Sequence, residues 1–354
     1  MRTRVALRTK RASKGSFVVT AILPLILFAL FASGCANVGE KDSGKPVKID
    51  ELLRKGIRPN EMGMVMVLEY HRIEEKEGDY KRSIENFKKD LETLYNKGYR
   101  LVKLHQLLSG KVNVPAGTTP IVFSFDDSTE GQFRMIKSGG ETIIDPECAL
   151  GIMKSFSEKH PDFGYTALFN FLPELFDQPK YKKEKVKYLI DHGFELGDHT
   201  WTHPMLSKLT DEEVQKEIAE PLKLIKQMDT RARIDVLCLP HGIKPKNEKL
   251  MFEGSYGGTS YRMKWALLVG SNPFYPPYHY RNPGPVIPRV QVMDYDPSDG
   301  SGADGSDYWL SYFEKHPELR YISDGDPTTI CAPSYMESRL LKDKLPRGVR
   351  FVGY

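Results

Sequence analysis

The run Ile121-Val122-Phe123-Ser124-Phe125 passes straight into Asp126-Asp127. Short, almost continuously apolar and rich in residues that favour extended backbone, it reads as a strand buried on both faces, as the strands of parallel sheets are. Two charges cannot continue such a strand. They mark its end, and the C-terminal ends of parallel strands are where α/β folds collect their chemistry. Successive strand residues point to opposite faces, so Asp126 and Asp127 share one pocket only if the chain turns as it leaves the sheet.

Further along, helical patterns at 182–192 and 211–228 alternate with apolar segments at 165–172, 234–239 and 266–269. Thr210 and Glu213 form a capping box at the start of the second helix. This rhythm implies parallel strands joined by crossover helices, and the expected fold is α/β, a distorted (β/α) barrel. The segment 134–157 is longer than a compact connection requires and holds a turn at Ser138-Gly139-Gly140 and a helix opening after Pro146. Following a functional strand, it suits a lid or a substrate-binding wall.

His199 and His203 are four apart in Asp198-His199-Thr200-Trp201-Thr202-His203. On one turn of helix or in a tight loop, two such rings face the same way and reach one cation. The intervening Thr-Trp-Thr excludes the zinc-protease pattern, which places Glu directly after the first His. Either pair alone is common on protein surfaces. Together, two imidazoles and one carboxylate make a ligand set that leaves positions open for water and substrate, as catalytic zinc sites do. Zn2+ is the first choice for these donors, with cobalt, nickel or manganese as alternative divalent metals.

Several phrases then recur in a familiar order. Val67-Leu68-Glu69-Tyr70-His71-Arg72-Ile73 opens the series, followed by Phe87 to Leu91 and Gly98 to Val102; next come Phe123-Ser124-Phe125-Asp126-Asp127 and Glu195 through Pro204. From about Met64 to Ser323 the chain resembles the polysaccharide deacetylase family, in its secreted lipoprotein branch. These are carbohydrate esterases that remove N-acetyl groups from chitin, peptidoglycan and related glycans. The resemblance implies a barrel of the deacetylase type and metal-dependent hydrolysis of an N-acetylated glycan. It implies Asp126 as the general base, and Asp127, His199 and His203 as metal ligands.

The sequence departs from the family pattern at two places. Cys238 stands where the third motif, Arg-x-Pro-x-Gly, has its Arg, and Pro240, His241 and Gly242 complete that loop. Without a cation beside it, Asp126 is expected to be a stronger base and less firmly held; Arg289, on another strand, is a candidate to supply the charge and to contact substrate. The Leu-x-His that provides the family's general acid has no counterpart after Pro240. His241 and Asp324 are the candidates for that role, with Asp326 and His279 behind them. Among the aromatics, the group from Tyr275 to Tyr280, Tyr278 in particular, is expected to meet the glycan. A competing function is a carbohydrate-binding protein that kept the metal cradle and lost turnover; a third is an amidohydrolase acting on a small N-acetylated molecule.

Six basic residues, Arg2, Arg4, Arg8, Lys10, Arg11 and Lys14, precede an apolar stretch from Phe17 to Phe31 that closes in Ala32-Ser33-Gly34-Cys35. This resembles a bacterial export signal ending in a lipobox-like site, with Cys35 as the lipidated residue. An uncleaved anchor is the alternative. The expected organisation is an export signal at 1–34, a tether at 35–62, a deacetylase domain at 63–330 and a C-terminal extension at 331–354. The protein would stand as a monomer on the extracellular side of the membrane, held by its lipid anchor. Removing the signal takes six of 51 basic side chains and none of 47 acidic ones, so a net charge of +4 becomes −2. The basicity belongs to the signal, and nucleic acid is not an expected partner. Cys148, Cys238 and Cys331 have no metal-type spacing and read as single thiols.

Overall fold

The computed structural model describes residues 49–294 and 296–354. The export signal, Cys35 and the expected tether up to residue 48 lie outside the described residues. In chain order come helix α1 (Ile49–Arg54) and strand β1 (Met66–Tyr70), then a short parallel pair, β2 (Arg72–Glu74) and β3 (Lys81–Ser83). Helix α2 (Ile84–Asn96), β4 (Tyr99–Leu101) and α3 (Leu104–Leu108) lead to β5 (Thr119–Phe125). The long connection after β5 folds into a hairpin, β6 (Met135–Ser138) and β7 (Glu141–Ile144), and helix α4 (Ala149–Lys159). Strand β8 (Leu168–Phe171), helix α5 (Lys182–Asp191), β9 (Glu195–Asp198), helix α6 (Asp211–Met228) and β10 (Val236–Cys238) continue the alternation. A second hairpin, β11 (Glu253–Tyr256) and β12 (Thr259–Arg262), precedes β13 (Trp265–Leu267), β14 (Val286–Ile287) and β15 (Val290–Gln291). Helix α7 (Ser306–Lys315) and the parallel pair β16 (Thr329–Ala332) and β17 (Arg350–Gly353) end the chain.

Nine strands form one sheet in the order β14-β13-β10-β9-β8-β5-β1-β15, with β4 also paired to β5. Every pairing in it is parallel. β14 and β15 sit at opposite ends of that path, yet only Pro288 and Arg289 separate them in the chain. So short a link forces the sheet to curl until its edges meet. The result is the expected distorted barrel, incompletely closed.

Local sequence explains the elements. All seven residues of β5 are buried, as a strand covered on both faces requires. Helix α2 starts at Ser83, whose side chain accepts from the Asn86 amide, and buries Phe87, Leu91 and Leu94 along one stripe. In α6 the Thr210–Glu213 capping box is formed, and Val214, Ile218, Leu222 and Ile225 face the core. Among the described residues no helix is long and apolar enough to cross a membrane.

β16 runs across the boundary expected between 330 and 331, so the last residues are part of a second, smaller core with Met62, Tyr278 and Ile330 rather than an appended tail. Glu61 ties that core together. Its carboxylate accepts from the Tyr321 hydroxyl at 3.1 Å, the Ser323 hydroxyl at 3.1 Å and the Cys331 amide at 2.8 Å.

Candidate metal centre

The sheet delivers its reactive side chains at one end. Register pairs Tyr70 of β1 with Phe125 of β5, so His71 and Asp126 leave their strands side by side. At Asp127 the backbone swings into the left-handed region, with φ of 70°, and Ser128 follows at 47°. This is the turn that two consecutive carboxylates need to share a pocket, and non-glycine residues in that region are uncommon outside functional sites. Ser128 stays there because its carbonyl accepts from the Phe176 amide and its hydroxyl from the Leu172 amide at 3.1 Å.

β9 carries Asp198 to the same end, and a loop, not a helical turn, presents the histidines. Thr200 and His203 both have positive φ. The loop is held from behind by Glu217 of α6, which accepts from the amides of Trp201 and Thr202 at 2.9 and 2.7 Å and from the Thr202 hydroxyl at 2.8 Å. His199 Nδ1 lies 2.9 Å from the Cys238 carbonyl, which fixes the proton there and leaves Nε2 free as a ligand. That Nε2 is 3.5 Å from Asp127 Oδ1, and His203 Nε2 is 3.8 Å from the same oxygen.

Asp127, His199 and His203 each offer a ligand atom, all within 4.8 Å of one another. Burial, then His199, push His203 down to about 4, so its ring is neutral near pH 7, as a ligand must be. Asp126, His199 and Cys238 form a second close group. Here burial pushes the Cys238 thiol up to about 11, which keeps it protonated and a poor ligand. The Asp-His-His set therefore fits a divalent cation, with Cys238 beside it.

Asp126 is 1 % exposed and densely bonded. Arg289 Nη1 and Nη2 donate to its two carboxylate oxygens at 2.7 and 2.8 Å, Asn170 Nδ2 donates at 2.7 Å and Cys238 Sγ at 3.4 Å. Burial alone would raise this carboxyl, but Arg289 and then His199 outweigh it and hold Asp126 well below the usual carboxylate range. The expectation of a loosely held, stronger base is thus corrected: the Cys at 238 does not leave Asp126 without a cation. Arg289 is fully buried, so it has no surface to offer a substrate.

Other residues singled out from the sequence fall elsewhere. Asp324 bonds to Thr329 and lies against Glu61 and Ser323, and Thr119 at the first residue of β5 donates to the Tyr321 carbonyl. That is the opposite end of the strand from Asp126, too far for Asp324 to serve as the acid. Tyr278 is buried in the same region with its hydroxyl on the Glu61 carbonyl at 2.9 Å, which removes it from any glycan contact. Of the third-motif loop, Pro240 is buried, Gly242 has φ of 68°, and the exposed His241 ring packs 4.6 Å from that of His203.

Two residues that the sequence reading gave no role stand in the cluster. His71 Nε2 lies 3.9 Å from Asp126 Oδ2 and 3.7 Å from Glu69 Oε1. Glu69 Oε2 meets Arg289 Nη2 at 3.1 Å, and Oε1 has no hydrogen-bond partner. Burial, opposed by Arg289, raises Glu69 to about 7. The available signal was a glutamate inside an otherwise apolar strand, followed by a histidine at its end.

Residues 162–251 match the family model described as polysaccharide deacetylase. No curated protein matches the chain. Among solved structures, the Streptococcus pyogenes deacetylase PplD in complex with acetate is 14% identical, with a TM-score of 0.50 over 70% of this chain and 97% of that one. A polysaccharide deacetylase from Bacillus cereus is 17% identical, TM-score 0.49, over 70% and 68%. IcaB from Ammonifex degensii is 17% identical, TM-score 0.46, over 67% and 94%. The first of these shares the fold.

Proposed function

We propose that this protein is a metal-dependent deacetylase that hydrolyses N-acetyl groups of an extracellular or cell-wall glycan, chitin-like or peptidoglycan. One observation carries the reading: the ligating atoms of Asp127, His199 and His203 lie within 4.8 Å of one another, at the end of the sheet where Arg289 clamps Asp126. A divalent cation, zinc by first choice, held by those three residues supplies Lewis acidity to the acetyl carbonyl and to the attacking water.

The chain's own residues divide the proton work. Asp126 accepts the proton of the attacking water. Because Arg289, Asn170 and Cys238 already donate to this carboxylate, its protonated form is disfavoured and the proton moves on. His71, with Nε2 3.9 Å from Asp126 Oδ2, is the next acceptor and delivers the proton to the leaving nitrogen, in place of Asp324 or His241. Burial lowers His71 from its usual value, so it is neutral at rest and a stronger acid once protonated. Acetate and a free amine result. His241, exposed on the loop that the buried Pro240 opens, contributes the substrate-facing side chain beside His203.

The assay is acetate release from acetylated chitooligosaccharides and peptidoglycan, with and without chelator. Asp126→Asn should abolish release and keep metal; His199→Ala should lose both. Zinc and glycan binding with no acetate from any acetylated polymer would instead identify a carbohydrate-binding protein. The basic and apolar residues up to Cys35 support export and a lipid anchor on the outer face of a bacterial membrane; mass spectrometry of the mature N-terminus tests this.

A further inference from the structure

Beside His71 a cavity of about 290 Å³ opens between the β2–β3 pair and the segment after β15. Tyr80 hangs over it. Its ring is 55 % exposed and sits 4.9 Å from that of His71 at 67°, which leaves one face uncovered. The backbone there is in the left-handed region, φ 55°, an unfavourable place for a bulky aromatic residue. Lys81 N donating to the Gly78 carbonyl at 2.9 Å and Arg72 N donating to the Tyr80 carbonyl at 3.1 Å hold it so. Held in that conformation, Tyr80 keeps an aromatic face in water next to a reactive histidine, the geometry of a stacking surface.

The walls of the cavity are acidic. Glu69 lies in its floor with a fully buried side chain, its Oε1 3.7 Å from His71 Nε2, so it sets the charge of the wall without touching a ligand. The lining carries four carboxylates, Glu69, Glu77, Asp79 and Asp294, against two cations, Lys81 and Arg82. Such walls donate little welcome to an anion and accept hydrogen bonds readily from hydroxyl groups. The volume is at the lower limit of roughly 300 Å³ for small-molecule sites, room for a single ring.

We propose that this cavity is a subsite for one uncharged pyranose ring of a glycan, next to the sugar that reacts, with Tyr80 as its stacking face. The ring's hydroxyl groups donate to the carboxylate wall, and a carboxylate-bearing sugar is rejected. The ligand class rests on the deacetylase reading; the subsite rests on the cavity and Tyr80.

The test pairs binding with turnover. Binding of N-acetylchitotetraose and of a hyaluronan tetrasaccharide is measured by calorimetry for wild type, Tyr80→Phe and Tyr80→Ala, alongside acetate-release kinetics. Tyr80→Ala should weaken chitotetraose binding and raise KM about tenfold with a smaller change in kcat, while Tyr80→Phe keeps both near wild type. Hyaluronan should bind wild type at least about tenfold more weakly than chitotetraose. Unchanged chitotetraose affinity in Tyr80→Ala, or equal affinity for the two glycans, overturns the subsite even if acetate is released. Tyr80-dependent binding without any acetate release keeps the subsite and removes the deacetylase reading. No glycan binding by wild type removes the subsite as well.

Discussion

Arg289 grips Asp126 with both ends of its guanidinium, at 2.7 and 2.8 Å, and no part of either side chain reaches bulk water beyond 1 %. The same guanidinium also meets Glu69 at 3.1 Å. One cation therefore compensates two buried carboxylates, and the planar fork sets the direction in which Asp126 faces the histidines.

Arg289→Met should be the most damaging single change at this site. It leaves Asp126 and Glu69 buried without their cation, for which the cost is about 3–5 kcal/mol. Arg289→Lys keeps the charge but loses the bidentate geometry, so it should fold and yet lose tenfold or more in kcat, on the order expected for a displaced reactive carboxylate. Urea unfolding combined with acetate-release kinetics separates the two. Equal stability for Arg289→Met and wild type would contradict the buried-triad account.

Glu217 touches no ligand atom but accepts three hydrogen bonds from the loop between His199 and His203. Glu217→Ala frees that loop, and loss of such outer support lowers metal affinity by about 10–100-fold. Competition with a chromogenic chelator reads this directly. Glu217→Gln, which retains one acceptor oxygen, should fall between the two.

At the other end of the barrel His105 bridges Glu195 and Asp235, with Nε2 2.7 Å from Asp235 Oδ1. The hydrogen bond to Asp235, then that to Glu195, raises His105 from its usual 6.5 to about 9. A histidine with a raised folded-state value binds its proton more tightly when folded. Its contribution is full below about 6.5 and is lost as pH rises through about 9. Wild type should lose more of its urea midpoint between about pH 6 and pH 10 than His105→Gln does. Parallel pH profiles would show that the bridge contributes nothing.

The first carboxylates and the histidine pair were legible because each sits at a break in pattern: an apolar run ended by charge, and two rings at a helical spacing. Helix 211–228 was equally plain from its capping box, and it was found at those residues. His71 was quoted but given no task, because its place opposite Asp126 follows from the β1–β5 register, which a single strand does not reveal. Arg289 reaches Asp126 only because the sheet curls until β15 lies against β1. Tyr278 and Asp324 misled for a related reason. Aromatic and acidic composition is the same at both ends of a barrel, and only topology says which end faces the chemistry.

The grip on Asp126 has one further support, in a residue without a side chain. Gly270 follows β13, and its amide donates to Glu69 Oε2 at 3.2 Å. A Cβ built on it would stand 1.6 Å from the Arg289 carbonyl oxygen and 2.0 Å from the carbonyl carbon. Backbone, unlike a flexible side-chain end, cannot step aside without carrying its own side chain along. Gly270→Ala should therefore push the Arg289 backbone outward, lengthen the contact to Asp126 and cost about 1–3 kcal/mol in overpacking. Activity should drop further than stability accounts for, because the base is displaced as well. Gly139→Ala, at a hairpin tip where a Cβ meets nothing within 4 Å, is the matched control for an added methyl, with only backbone strain from its φ of 57°. Measuring the unfolding midpoint and kcat of both variants decides the matter: if Gly270→Ala loses no more kcat than Gly139→Ala, the close approach at Arg289 does not position the base.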